Sequence, residues 1–166
     1  MKAEEIRALQ APLKAHYKED PSSAVVTLRA EGDLGDGISC SVETGRALVK
    51  AGLHPATGGT GELACSGDML LQALVACAGV TMNAVATSLG IAIHKGSLVA
   101  EGDLDFRGTL GVAKDAPVGF RAIRLKIDVD SDASPEQLAK LIQLTERYCV
   151  VYQTLASNPQ LSMSHG

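Results

Sequence analysis

Residues 67–90 read "GDMLLQALVACAGVTMNAVATSLG", an almost wholly apolar run. As a helix it would reach roughly 35 Å, at about 1.5 Å per residue. It is apolar around most of its circumference, so it must be buried on most sides. The 166-residue chain can lay a sheet against one side but has little left to wrap the other. A second subunit would complete the cover. Gln72, Thr81, Asn83, Thr87 and Ser88 break the run, which keeps it short of the roughly 18 uninterrupted apolar residues of a membrane span. Ser66 is the expected N-cap, and Asp68 falls in the first turn, where a carboxylate suits the helix dipole. Near the centre stands Cys77. Free cysteines commonly act as small buried hydrophobes, so Cys77 is either core filling or a reagent.

The rest of the chain supplies the sheet. Ile6, Leu9 and Leu13 give residues 3–18 a helical period, and "DPSS" ends it. Residues 23–31 are expected to form a strand, "GDLGDG" a turn, and 38–44 a second strand with Ile38, Cys40 and Val42 on one face. Residues 46–53 are the candidate third strand. The loop 54–67, with a proline and four glycines, precedes the long helix. A long strand is expected over 91–111, bending at its glycines. Another is expected over 119–132, where Ile123, Leu125, Ile127 and Val129 alternate with Arg124, Lys126, Asp128 and Asp130. Residues 134–155 predict one helix, with Ser134, Pro135 and Gln137 as cap, first helical residue and capping-box partner. A short last strand is expected within 158–165. The domain division is an N-terminal helical extension over 1–20 and one α+β domain over 21–166.

Composition excludes several functions. The chain has no Trp, two Phe and three Tyr, and a net charge of −4. Nucleic-acid binding is not expected, because it draws on Lys and Arg for phosphate and aromatics for stacking. The charged N-terminus has no signal-like apolar segment, so a soluble, cytoplasmic protein is expected, with no membrane partner. Cys40, Cys65, Cys77 and Cys149 form no CxxC and no zinc-ligand spacing. Cys40 sits on the apolar face of its strand and reads as core. Cys65 is a loop thiol, inert or a third redox group. His54 is an exposed loop histidine, or a proton donor or substrate contact.

The order of elements, with "GGTGELACSGDMLLQALVACAGVTM" and later "ERYCVVYQTL", resembles the OsmC/Ohr family of osmotically inducible and organic-hydroperoxide-resistance proteins. The second segment is similar to that family's "CPV…TL", and Cys77 and Cys149 stand 72 positions apart. The resemblance covers about residues 23–164, and the N-terminal extension resembles an OsmC-like branch. It implies an α+β, OsmC-like fold in which antiparallel sheets wrap two central helices of an intertwined homodimer. It implies a peroxidase in which Cys77 attacks an organic hydroperoxide and Cys149 resolves the product. No bound cofactor is implied; the reductant would be an external dihydrolipoyl-type dithiol, such as a lipoylated protein.

Two helpers depart from the family's pattern. Its peroxidase branch places an Arg in the glycine turn after the first strand, and here that turn, "EGDLGDG", has none. The branch also places a Glu ten positions before the cysteine, where this chain has Gly67; Asp68 is the neighbouring acid. Asp68 is a candidate catalytic acid or a plain first-turn carboxylate. Nine positions put it and Cys77 on opposite faces of a continuous helix, so it would serve the partner's site unless the helix bends. Arg29, Arg46 and Arg147 are the substitute cations, or solvated surface charges. Leu74, Val80 and Met82 are expected to make the surroundings of Cys77 oily, which suits organic hydroperoxides over hydrogen peroxide. Two other readings remain: a catalytically weak dimer that binds an apolar ligand, and a thiol redox sensor.

Overall fold

The computed structural model describes residues 3–35, 39–42 and 51–165. Helix α1 (Ala3–Glu19) leads through a 3-10 turn at Pro21–Ala24 into strand β1 (Val25–Gly35). Strand β2 (Ser39–Val42), helix α2 (Ser66–Leu89) and strand β3 (Ile93–Asp105) follow. The chain closes with the short helix α3 (Phe106–Thr109), strand β4 (Phe120–Ser131) and helices α4 (Pro135–Tyr148) and α5 (Val150–Ala156).

Among the described residues, one four-stranded antiparallel sheet runs β2-β1-β3-β4. The long central strands set its register: Val25 pairs with Asp105 at one end of β1 and Asp33 with Ser97 at the other. Along β3, Gly96, Leu98, Ala100 and Gly102 are buried on one face. Ile123, Leu125, Ile127 and Val129 of β4 join the same core, while Arg124, Lys126, Asp128 and Asp130 are exposed. The alternation expected for this strand is therefore present. Gly102 is required by packing, since a Cβ there would lie 2.5 Å from the Phe120 ring.

Helix α2 lies against this sheet. Leu71, Leu74, Val75, Ala78 and Met82 follow one helical face and are buried with Leu98, Ala100 and Leu141. By length and hydropathy alone α2 would suit a bilayer, but this face is the centre of the core. Met69, Leu70, Val80 and Leu89 remain 37–40% exposed. Helix α1 packs separately: Tyr17 is buried with Ala24, Phe106 and Leu110, and Leu13 packs against them. Leu9 stays 46% exposed.

Several boundaries differ from the sequence expectation. The "GDLG" of the expected turn continues β1, because its backbone pairs with both neighbours. The remaining turn residues 36 and 37, both ends of the expected second strand (38 and 43–44) and most of the expected third strand, with Arg46, lie outside the described residues. The long strand stops at Asp105, whose carboxylate accepts from the Arg107 N–H and caps α3. Helix α2 is capped at Cys65, one position before Ser66, with no side-chain cap bond. The Ser134 capping box is formed as expected. Residues 158–165 form no strand; the segment is exposed and pairs with no strand among the described residues. The expected single helix 134–155 is broken at Cys149, where φ −70° and ψ 107° leave helical space. That break shapes the site.

Candidate functional site

Cys77 lies half-buried in the middle of α2. Cys149 sits at the junction of α4 and α5 and is 1% exposed. The structure brings the two sulfurs into hydrogen-bond contact, both as free thiols.

Their surroundings treat them oppositely. Burial pushes the Cys77 thiol up, but four donors outweigh it: the Val151 N–H, the Cys149 thiol, the Thr81 hydroxyl and the Val150 N–H. Its pKa is lowered on balance, since hydrogen bonds to a charged form favour that form. Cys149 is pushed up to about 11, first by burial and then by the neighbouring Cys77, against the pull of the Tyr152 N–H. That N–H donates to Cys149 Sγ at 3.5 Å, so the sulfur caps α5. The first proton to leave the pair therefore leaves Cys77, while Cys149 keeps its own.

The donors come from the helix break. The first N–H groups of a helix have no partner within it, and those of α5 face the α2 thiol. Helix α2's own dipole is too far away, since the effect fades within the first turn. Among the described residues, none of the groups acting on Cys77 is a guanidinium. Arg147 is exposed and lies 5.4 Å over the Tyr148 ring. Arg29 pairs with Glu101 through the sheet backbone, and its side chain, like Arg46, lies outside the described residues.

Asp68 is placed elsewhere. Helix α2 is continuous, so Asp68 stands about 13 Å along its axis from Cys77. Burial pushes its carboxyl up, and nearby His54 pulls it partly back. His54 is half-buried, not exposed. Its Nδ1 accepts from the Ala56 N–H at 3.0 Å, and its ring stacks on Phe106 at 4.9 Å. Helix α1 clamps this loop: the Tyr17 hydroxyl donates to the Ala56 carbonyl at 2.8 Å and Gln10 Nε2 to the Thr57 carbonyl at 3.3 Å. Asp68 and His54 thus form a second cluster apart from the thiols. Cys65 packs on the main core, and the side chain of Cys40 lies outside the described residues.

Of the oily neighbours expected for Cys77, Leu74 and Met82 are buried in the core and Val80 is 40% exposed. Leu74 also lines a groove of about 490 Å³ between α2, β4 and α5. Sequence reasoning missed Thr81, one turn after Cys77 on the same face, and the two valine N–H groups. The β-branched pair "VV" after Cys149 lowers helix propensity only slightly and does not mark the interruption.

The helix break makes a specific substitution informative. Val150 is the first residue of α5 and is 70% exposed. Proline fits that position, and the extended backbone of Cys149 tolerates a following proline. Val150→Pro is expected to leave the fold intact while deleting one N–H donor to Cys77. The Cys77 pKa should rise, and its alkylation rate at pH 7 should fall about tenfold. An unchanged pH profile of iodoacetamide labelling would remove the Val150 N–H from the site.

A sheet carrying a long apolar helix, with two touching thiols where that helix meets a helix break, defines an α+β protein built around a cysteine pair. The family model described as OsmC-like protein matches residues 59–164, and the chain belongs to this family. Its fold is similar to the crystal structure of an OsmC-like hydroperoxide resistance protein from Jannaschia sp. CCS1. That match has TM-score 0.59 and 17% identity over 83% of this chain and 91% of the other. It is also similar to an OsmC-like protein from Mycoplasma pneumoniae, with TM-score 0.58 and 20% identity over 81% and 86% of the two chains. No curated protein matches the chain significantly.

Proposed function

We propose that the chain is a thiol-dependent peroxidase that reduces organic hydroperoxides through Cys77 and Cys149. The single observation behind this is the opposite shift of two touching thiols, Cys77 lowered and Cys149 raised to about 11. A thiolate is the nucleophile in such chemistry. Cys77 Sγ attacks the distal peroxide oxygen and the O–O bond breaks. Cys77 becomes a sulfenic acid, and the alkoxide leaves as alcohol after taking a proton from water. Cys149 then attacks the oxidised sulfur, forming the disulfide and releasing water before overoxidation intervenes. An external dithiol of dihydrolipoyl type returns both thiols and is itself oxidised to a disulfide.

Membership of the OsmC-like family and the likeness to the hydroperoxide resistance protein from Jannaschia support the same reading. A homodimer belongs to it: the apolar side chains of α2 left exposed by the sheet, Met69 and Val80, suit a second subunit. In such a dimer Asp68 would act at the partner's thiols. A cytoplasmic location and a lipoylated protein as reductant complete the proposal. The test is steady-state loss of hydroperoxide with dihydrolipoamide as reductant. Cumene hydroperoxide is expected to turn over at least about tenfold more efficiently than hydrogen peroxide, since the site is walled by apolar groups. Faster turnover of hydrogen peroxide, or of neither, would overturn the proposal.

A further inference from the structure

The groove between α2, β4 and α5 is lined mostly by apolar side chains. Leu70 and Leu74 come from α2, Phe120 and Ile123 from β4, and Leu155 from α5. Its volume of about 490 Å³ falls in the usual range for a small-molecule site, about 300–1,000 Å³. One charged residue lines it, Arg121. Leu125 and Tyr152 also line a second cavity of about 130 Å³ that reaches Cys149. Those two side chains are common to both cavities.

Arg121 has charge to offer. Its closest carboxylate is Asp105, at 3.8 Å, beyond hydrogen-bond distance. Asp105 is buried and already held by Arg107, through Nε at 3.0 and 3.2 Å, Nη2 at 2.6 Å and the backbone N–H at 3.1 Å. Asp103 is held in the same way by Arg124, at 2.6 and 3.0 Å. Both nearby acids thus have their own arginine. The Arg121 side chain is half exposed, and among the described residues it makes no hydrogen bond. A planar guanidinium with free donors at the rim of an apolar groove matches a carboxylate attached to a hydrocarbon body.

The geometry points to a binding site for an amphipathic monoanion, a hydrocarbon chain ending in a carboxylate, with Arg121 holding the headgroup. The inference stands on the groove and goes beyond the redox reading. Decanoate and 1-decanol are suitable probes, because they share the chain and differ in the headgroup. Titration calorimetry on the full chain should show decanoate binding, weakened roughly 10- to 100-fold by Arg121→Gln. Arg121→Lys should recover much of that loss, and 1-decanol should bind wild type and Arg121→Gln alike, which also reports a folded groove. Ala156→Trp, which fills the groove from α5, should weaken both probes. No decanoate binding to wild type, equal binding to Arg121→Gln, an equal loss of 1-decanol in that variant, or indifference to Ala156→Trp would each overturn the site. No turnover is involved, so a chain that reduced no peroxide would still give a decisive answer.

Discussion

Cys77→Ser is expected to abolish hydroperoxide reduction, with turnover falling more than about 1,000-fold to the uncatalysed background. A serine hydroxyl does not ionise near neutral pH and cannot take the peroxide oxygen as sulfur does. Cys149→Ser should behave differently. The serine still offers an O–H where Cys149 offered a thiol to Cys77, so the first equivalent of cumene hydroperoxide should still react. Without a resolving thiol the sulfenic acid then waits, and further peroxide carries it to the sulfinic acid. Peptide mass spectrometry should find that oxidation on Cys77 in Cys149→Ser and a Cys77–Cys149 disulfide in wild type. Turnover that survives Cys77→Ser would show that Cys77 is core filling.

The second large effect concerns the support of the site. Leu141 is fully buried, at the contact of α4 with α2. That contact fixes where α4 ends, and so where Cys149 and the N–H groups of α5 meet Cys77. Leu141→Ala removes packing that the surrounding core cannot refill and should cost about 3 kcal/mol. For a chain of this size that is a fall of roughly 6–12 °C in Tm. The adjacent Ile142 is 39% exposed, and Ile142→Ala should cost under about 1 kcal/mol. Calorimetric melting of the two variants checks the contrast. Equal losses would mean that α4 is not anchored through Leu141.

Much of the fold was legible because its strongest signals are periodic. The long, mostly apolar run of α2, the strict alternation of β4 and the capping box at Ser134 each leave a pattern in the sequence. The cysteine pair was legible too, although only through resemblance, since nothing local brings residues 77 and 149 together. What escaped was set by tertiary context. The turn-like "GDLG" became strand because two neighbours pair with it. The break at Cys149 was hidden because "CVV" stands where the resembled family has "CPV". Proline at the first helical position announces a new helix, and valine does not. That same valine carries an N–H that proline lacks, and it is one of the donors to Cys77. The missing arginine had pointed to an unsupported thiol; the support comes instead from the start of a helix not visible in the sequence.

The most direct measurement is the pH dependence of iodoacetamide labelling of each thiol, followed peptide by peptide in wild type. Only the thiolate reacts, so each rate falls as pH drops through the pKa of that group in the folded protein. A lowered pKa lets Cys77 reach its plateau at lower pH than the pKa of an ordinary cysteine would allow. The expected result is a Cys77 midpoint below that value and labelling of Cys149 only in strongly alkaline solution, near its pKa of about 11. Titration of Cys77 at or above the ordinary value, or labelling of Cys149 first, would contradict the assignment of Cys77 as the attacking thiolate.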